Sequence, residues 1–295
     1  MVHLMSDKNR TFAFIKTRNI NWYCETNNVR LTKKKISNVK KKGIIFFIHG
    51  TGGSSISWES ILDELGTQFP IFAVDLPNHG KSESSASFKL TLRNISLDII
   101  ELLSMLEINY IKALVGHSAG VTLALELLLQ NTTIRVDKLF GLNPSLVPPP
   151  KYFAFLLNPM LAPLVTSKTS LRFLSEYVKN STIIDRLLDS TGSFLVDPNK
   201  REDYKKLFDN TEHIDGALNF MAETDIRSVL ERSGKITTEL LFLFGKSDLW
   251  VNAEKLEIIL KKYFPRAISK EIEGGHLLNE THAIEVSNFL LKEIN

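Results

Sequence analysis

The residue whose surroundings most clearly suggest chemistry is Ser118, in the segment Gly116-His-Ser-Ala-Gly120, which fits the pattern G-x-S-x-G. The segment directly follows an apolar run over residues 111–115 and precedes an amphipathic helical pattern. A serine on a sharp strand-to-helix turn needs small neighbours, and the turn presents its hydroxyl to a substrate. The bare pentapeptide also occurs by chance as a turn without chemistry, but its placement here predicts a nucleophile.

A serine hydroxyl is a weak nucleophile, so it needs a general base, and the base needs an orienting carboxylate. Asp248 follows the apolar run 238–244 through a Gly-Lys-Ser turn, and His276 stands in Glu273-Gly-Gly-His-Leu277, where two glycines favour a loop. Either residue alone would more often be structural, because an aspartate after a strand commonly caps a helix. The chain order nucleophile, acid, base predicts a catalytic triad of Ser118, Asp248 and His276.

A glycine-rich segment, His49-Gly-Thr-Gly-Gly-Ser54, follows the apolar run 43–48. Acyl transfer needs two N–H donors aimed at the developing oxyanion. We predict that Ala119 supplies one donor and Thr51 the other, with Gly52 as the alternative to Thr51, and that Gly50 and Gly52 contact the substrate. The segment fits neither the phosphate-loop pattern nor the dinucleotide-binding pattern, so a nucleotide site is not predicted.

The other histidines are expected to be structural. His49 and His117 adjoin glycines in the two turns, His79 lies in a loop that shapes the core, and His213 and His282 are expected on the surface or in the lid predicted below. No spacing of histidine, cysteine and carboxylate residues indicates a metal site, and no cofactor is predicted.

Short apolar runs alternate with helical patterns along most of the chain. The runs cover residues 43–48, 70–75, 111–116, 136–142 and 238–244, and the helical patterns cover 57–65, 91–106, 119–130, 252–263 and 281–294. This alternation predicts an α/β fold with a mostly parallel sheet covered by helices on both faces. Ligands of such sheets bind at the carboxyl edge, which is where the predicted triad falls.

The alternation stops between residues 145 and 234, where three prolines open a stretch with helical patterns and no buried-strand run. We predict a core of residues 1–144 and 235–295, with residues 145–234 inserted as a helical lid. Two domains in series fit less well, because the last strand and helix would lack a sheet to join.

The predicted lid contains an apolar segment with Phe153, Leu157 and Met160. We predict that these three side chains contact an apolar ligand. The alternative is that they form the core of the lid itself.

Composition excludes several classes of protein. The net charge of +3 on 36 basic and 33 acidic residues is too balanced to imply nucleic acid. A lysine cluster at 33–35 and 40–42 indicates a solvated loop or a patch for an anionic surface. The single cysteine, Cys24, precludes an internal disulfide, and no apolar run suits a signal peptide or a membrane span. A cytoplasmic location is therefore expected.

The motifs resemble those of the α/β-hydrolase superfamily over nearly the whole chain. The shared set is His49-Gly50, Asp75-Leu-Pro-Asn-His-Gly-Lys-Ser82, Gly116–Gly120, Gly245-Lys-Ser-Asp248 and Gly274-Gly-His276. The resemblance implies the α/β-hydrolase fold, and a serine at 118 argues against the dehalogenase and epoxide hydrolase branches, which use aspartate there. Asn78 replaces the usual glycine, and we expect the turn to survive because asparagine tolerates positive φ.

A closer resemblance is to the magnesium-chelatase accessory proteins of bacteriochlorophyll biosynthesis. It rests on Gly141-Leu-Asn-Pro144, Ser190-Thr-Gly-Ser193, Tyr204, His213-Ile-Asp-Gly-Ala-Leu218 and Met221-Ala222. It implies assistance of magnesium insertion into protoporphyrin, with a tetrapyrrole as ligand and chelatase subunits as possible partners. The lysine cluster is not typical of that group.

Three functions fit these patterns. The first is a serine hydrolase that cleaves an ester-like or C–C bond of a small apolar acyl substrate, and we predict this one. The alternative is an accessory protein for magnesium insertion, in which the triad does little or no hydrolysis. The third is a binding protein without chemistry, which the fold by itself does not distinguish from the other two.

Overall fold

The structure, a computed structural model, describes residues 5–7, 10–27, 43–65, 68–130, 133–148 and 182–294. Within these ranges one sheet has ten strands. They are β1 (Met5–Asp7), β2 (Arg10–Lys16), β3 (Ile20–Asn27), β4 (Ile44–Ile48), β5 (Ile71–Val74), β6 (Glu83–Ser84), β7 (Tyr110–His117), β8 (Arg135–Leu142), β9 (Glu239–Gly245) and β10 (Ile268–Ile272). The described helices are α1 (Glu59–Leu65), α2 (Leu92–Met105), α3 (Ala119–Leu128), α4 (Ile183–Asp189), α5 (Pro198–Phe208), α6 (Thr211–Glu223), α7 (Ile226–Arg232), α8 (Ala253–Tyr263), α9 (Leu278–Thr281) and α10 (Ala283–Ile294).

The strand order is β1-β2-β3-β5-β4-β7-β8-β9-β10, with β6 paired to β3. Along the order β5-β4-β7-β8-β9-β10 every adjacent pair of strands is parallel. The pairs β1–β2, β2–β3, β3–β5 and β3–β6 are antiparallel. Each of the five apolar runs forms one of the five central strands, β5, β4, β7, β8 and β9. The predicted α/β fold with a mostly parallel sheet is confirmed.

The central strands are apolar throughout because helices cover both sheet faces. In β4, Phe46 packs into one apolar layer with α2, α3 and α8, while its neighbour Phe47 packs into the other layer with α1 and α10. Strand β10 was not predicted. It is an edge strand in which only Ile272 is buried, so its sequence has no apolar run.

Helices α4 to α7 occupy the described part of the chain between β8 and β9. A small apolar cluster packs α4 and α5 against Leu277, beside the predicted base. Phe153, Leu157, Met160 and the lysine cluster lie outside the described residues. No helix within the described ranges is long and apolar enough to cross a lipid bilayer.

Candidate active site

Ser118 occupies the turn between β7 and α3 with φ 53° and ψ −122°, a conformation that non-glycine residues rarely adopt. The turn is held by its backbone, since Ser118 N–H donates to the Leu142 carbonyl at 2.9 Å and Val121 N–H donates to the Ser118 carbonyl at 3.0 Å. A Cβ atom on Gly120 would lie 2.4 Å from the Ile48 carbonyl oxygen, and one on Gly116 would lie 2.8 Å from the Val121 backbone. The glycines of the G-x-S-x-G segment are therefore required by close backbone packing.

The three residues of the predicted triad lie together at the carboxyl edge of the sheet. His276 Nε2 is 2.8 Å from Ser118 Oγ, and His276 Nδ1 is 2.7 Å from Asp248 Oδ2. All three side chains are buried. The ring can therefore accept the serine proton at one nitrogen while its other N–H donates to the carboxylate.

Asp248 accepts further hydrogen bonds that keep it ionised. Its Oδ1 atom accepts from Trp250 N–H and Val251 N–H, each at 2.8 Å, and its Oδ2 atom accepts from the Asn143 amide at 2.9 Å. Burial raises the pKa of this carboxyl, but the neighbouring His276 and the hydrogen bonds from His276, Val251 and Asn143 outweigh burial and lower it. The site therefore holds a carboxylate able to stabilise a protonated His276.

Asn143 was not predicted as a site residue. Besides Asp248 it bonds the Gly275 carbonyl at 3.2 Å, so its amide joins the loop of the acid to the loop of the base. Its backbone has a positive φ of 45° directly after β8. The available signal was its place in the Gly141-Leu-Asn-Pro144 motif.

The glycine-rich segment forms a tight turn beside Ser118. Gly53 N–H donates to the Gly50 carbonyl at 3.1 Å, and Gly52 has φ +72°, as the third residue of a type II turn requires. A Cβ atom on Gly50 would lie 2.9 Å from the Ser118 Cβ. Ala119 is the first residue of α3, so its N–H has no partner within the helix. Thr51 and Ala119 remain the predicted oxyanion donors.

A cavity of about 260 Å³ opens over Ser118 and His276. Gly50, Thr51 and Gly52 form one side of it, and apolar side chains of α4, α5 and α6 form the opposite side. Those apolar residues are Ile183, Ile184, Leu187, Leu188, Phe208, Ile214, Ala217, Leu218 and Met221. The described lining includes no Lys, Arg, Asp or Glu, so it suits an uncharged apolar group, because an unpaired buried charge is costly.

His117 and His49, which were expected to be structural, are buried and hydrogen-bond to backbone carbonyls. His117 Nε2–H donates to the His276 carbonyl at 2.8 Å, and His49 Nδ1–H donates to the Gly50 carbonyl at 2.8 Å. Burial lowers the pKa of each to about 3, so both rings are neutral. His213, expected at the surface or in the lid, lies on α6 and is 1% exposed.

The turn at Asn78 survives, as predicted, with φ 58° at that residue. Asp75, at the start of the same motif, accepts from Ser55 N–H at 2.7 Å and Lys81 N–H at 2.8 Å. This motif therefore braces the loops beneath the site.

The Ser190–Ser193 motif contacts the loops of the acid and the base. The Thr191 carbonyl accepts from His276 N–H at 3.0 Å, and Ser193 Oγ accepts from Leu277 N–H at 2.8 Å. Trp250 Nε1–H donates to Ser190 Oγ at 3.2 Å, and the Trp250 ring lies 5.5 Å from the His276 ring. Within the described ranges, no group of three or more His, Cys, Asp or Glu side chains is placed to hold a metal ion.

Known proteins with similar sequences or folds agree with this architecture. A model of the alpha/beta hydrolase family matches residues 45–288. The Magnesium-chelatase 30 kDa subunit of Rhodobacter capsulatus is 30% identical over 257 residues, which cover 84% of this chain and 85% of that protein.

Two solved structures show the same fold at low sequence identity. The Cif epoxide hydrolase from Acinetobacter nosocomialis superposes with a TM-score of 0.73 at 16% identity, covering 98% of this chain and 90% of that one. The naproxen esterase from Bacillus subtilis has a TM-score of 0.70 at 14% identity, covering 100% of this chain and 92% of that one.

Proposed function

Because the chain belongs to the alpha/beta hydrolase family, we propose that it is a serine hydrolase that cleaves an ester-like or C–C bond of a small apolar acyl substrate. The observation that carries this proposal is the pair of short contacts from Asp248 through His276 to Ser118, on a strained turn that opens into a cavity. A nucleophile, a base and an orienting acid in hydrogen-bond contact are what acyl transfer to serine requires.

In the proposed mechanism Ser118 Oγ attacks the substrate carbonyl carbon while His276 Nε2 takes the hydroxyl proton. The carbonyl oxygen becomes an oxyanion, which accepts hydrogen bonds from the N–H groups of Thr51 and Ala119. His276 then protonates the leaving group, and the acyl group stays on Ser118. Water, deprotonated by His276, attacks the acyl-enzyme and forms a second oxyanion. Its collapse breaks the bond to Ser118 Oγ and releases the acid, while His276 returns the proton to Ser118 Oγ. Asp248 stabilises the protonated ring in both steps.

The cavity supports a small apolar acyl group. Its volume of about 260 Å³ falls below the ~300–1,000 Å³ of pockets that enclose drug-sized ligands. We assign residues 145–234 as a lid over this cavity, with α4, α5 and α6 as its described inner wall. Phe153, Leu157 and Met160 lie outside the described residues, and their contact with an apolar ligand stays a prediction.

A fluorophosphonate probe tests the proposal, because it reacts with serines that an adjacent base activates. We expect covalent labelling of the wild-type protein at Ser118, located by peptide mass spectrometry, and complete loss of the label in Ser118→Ala. Ser104→Ala, which removes an exposed serine on α2, should label at the wild-type rate. Absence of labelling in the folded wild-type protein would contradict the serine hydrolase.

The second candidate is an accessory protein that assists magnesium insertion into protoporphyrin, with chelatase subunits as partners. The observation that favours it is the 30% identity to the Magnesium-chelatase 30 kDa subunit over most of both chains.

Absorption titration separates this candidate from the first. If the second candidate holds, the Soret band of micromolar protoporphyrin IX should shift when the protein is present. The shift should be equal for the wild type and Ser118→Ala. If the band does not shift with either protein and Ser118 is labelled, the accessory function is contradicted and the serine hydrolase is the candidate that stands.

A further inference from the structure

We propose that His213 is a positioning residue that holds the Gly50–Gly53 turn in shape for oxyanion binding, so that packing of α6 against the core completes the oxyanion hole. The inference rests on the proposed hydrolase function and adds to it a dependence of catalysis on the lid. His213 lies on α6, at the start of the segment 213–218 that resembles the accessory proteins.

His213 bridges two loops of the core. Its Nε2 atom is 3.2 Å from the Gly52 carbonyl oxygen, and its Nδ1 atom is 3.1 Å from Gly80 N. The Gly80 N–H can only donate, so Nδ1 accepts and Nε2–H donates to Gly52. Burial lowers the pKa of His213 to about 3, so the ring is neutral, with one donor and one acceptor that these two contacts use.

The contact with Gly52 reaches the predicted oxyanion donor through two peptide groups. The Gly52 carbonyl belongs to the same planar peptide as Gly53 N–H, which donates to the Gly50 carbonyl at 3.1 Å. The Gly50 carbonyl in turn belongs to the same peptide as Thr51 N–H, which points the opposite way because the peptide is trans. Fixing the Gly52 carbonyl therefore restrains the direction of Thr51 N–H.

The turn needs this restraint because glycine occupies three of its four positions and has wide conformational freedom. From the core side, His49 Nδ1–H donates to the Gly50 carbonyl at 2.8 Å, and His49 Nε2 accepts from Leu76 N–H at 2.8 Å. From the lid side, among the described residues, the polar side chain that contacts the turn is His213. The Gly50 carbonyl is thus held by His49 of the core, and the Gly52 carbonyl is held by His213 of α6.

The spacing of the motif supports a docking role for α6. Gly216 lies three residues after His213, on the same face of the helix. A Cβ atom at position 216 would lie 2.3 Å from the Asn78 carbonyl oxygen, so only glycine lets α6 approach the core closely enough. The ring of Phe208 on α5 packs edge-on against the His213 ring, with 5.2 Å between the ring centroids.

The test uses variants that keep different halves of the imidazole. His213→Gln can place an amide N–H near the Nε2 position and retain the donor to Gly52. His213→Asn can place an oxygen near the Nδ1 position and retain only the acceptor for Gly80. Phe220→Leu, on the same helix and fully buried, is the matched control, because Phe220 does not line the cavity.

We expect His213→Asn to lower kcat for p-nitrophenyl acetate about 10- to 100-fold with little change in KM, since loss of a whole oxyanion donor costs about 10²- to 10³-fold. His213→Gln should recover most of that loss. Phe220→Leu should lower the Tm yet leave kcat near the wild-type value. In a second measurement, hydrogen exchange of residues 49–54 should accelerate in His213→Asn and not in Phe220→Leu.

Two results would overturn the inference while leaving the hydrolase intact: equal kcat values for His213→Asn and His213→Gln, or unchanged hydrogen exchange of residues 49–54 in His213→Asn. A wild-type protein that neither turns over the ester nor reacts with a fluorophosphonate would instead refute the proposed hydrolase, and the catalytic role of His213 with it.

Discussion

Lowering the pH from 7 to 5 is expected to reduce the free energy of unfolding by several kcal/mol, a large part of the whole stability of many proteins. Four buried histidines dominate this effect: His49, His79, His117 and His213, each at most 5% exposed. Burial lowers the pKa of each to about 3, whereas an unfolded histidine has a pKa of about 6.5.

The sign follows from proton linkage. Between pH 6.5 and 3 the unfolded chain binds protons at these histidines and the folded chain does not, so their stabilising contribution is full above pH 6.5 and is lost as the pH falls. Each proton is worth about 1.4 kcal/mol per pH unit, and the unfolded rings take up their protons only below about pH 6.5. Each histidine therefore costs a little under ~2 kcal/mol by pH 5, and the four together cost about 7 kcal/mol. Burial raises the pKa of Glu280 to about 7, and its protonation returns about 2 kcal/mol over the same interval.

Urea unfolding followed by circular dichroism at pH 7.5, 6.5 and 5.5 measures this dependence. The midpoint should fall steeply with pH in the wild type. In His79→Asn, which removes one of the four groups, the midpoint should fall less steeply with pH, because unfolding takes up about one proton fewer. A midpoint that stays constant from pH 7.5 to pH 5.5 would contradict the neutral, buried state of these rings.

Asp248→Asn is expected to lower kcat about 10⁴-fold, the loss seen when the aspartate of a serine protease triad is replaced by asparagine. Two backbone N–H groups donate to Asp248 Oδ1, from Trp250 and Val251, and they would hold the oxygen of the new amide at that position. The amide nitrogen would then face His276 Nδ1, which must become an acceptor. His276 Nε2 would carry the proton and could not accept one from Ser118.

Hydrolysis of p-nitrophenyl acetate by the folded variant checks this expectation, with KM expected to change little. Asp209→Asn, at an exposed position at the end of α5, provides the matched control and should keep the wild-type kcat. An Asp248→Asn variant within tenfold of the wild-type rate would show that Asp248 does not set the tautomer of His276.

The central strands and the turn of the nucleophile could be predicted from the sequence because their causes are local. A strand buried on both faces must be apolar at every position, as β4 is. The turn at Ser118 needs glycine at positions 116 and 120. A Cβ atom at 116 would clash with the backbone of Val121, and one at 120 would clash with the Ile48 carbonyl of the neighbouring strand β4. The exposed edge strand β10 lacks an apolar run, so it could not be predicted from its sequence.

The contacts that tune the site could not be predicted, because they join residues far apart in the chain. Asn143 and Asp248 are 105 residues apart, and His213 and Gly52 are 161 apart. An asparagine or a histidine in a helix or loop has no sequence feature that indicates which distant carbonyl or carboxylate it will meet. The sequence thus determined which side chains could react and in what order they occur. Only the tertiary structure decided how Asp248 is held, which residues contact the Gly50–Gly53 turn and how large the cavity is, because each depends on contacts between segments that are distant in the chain.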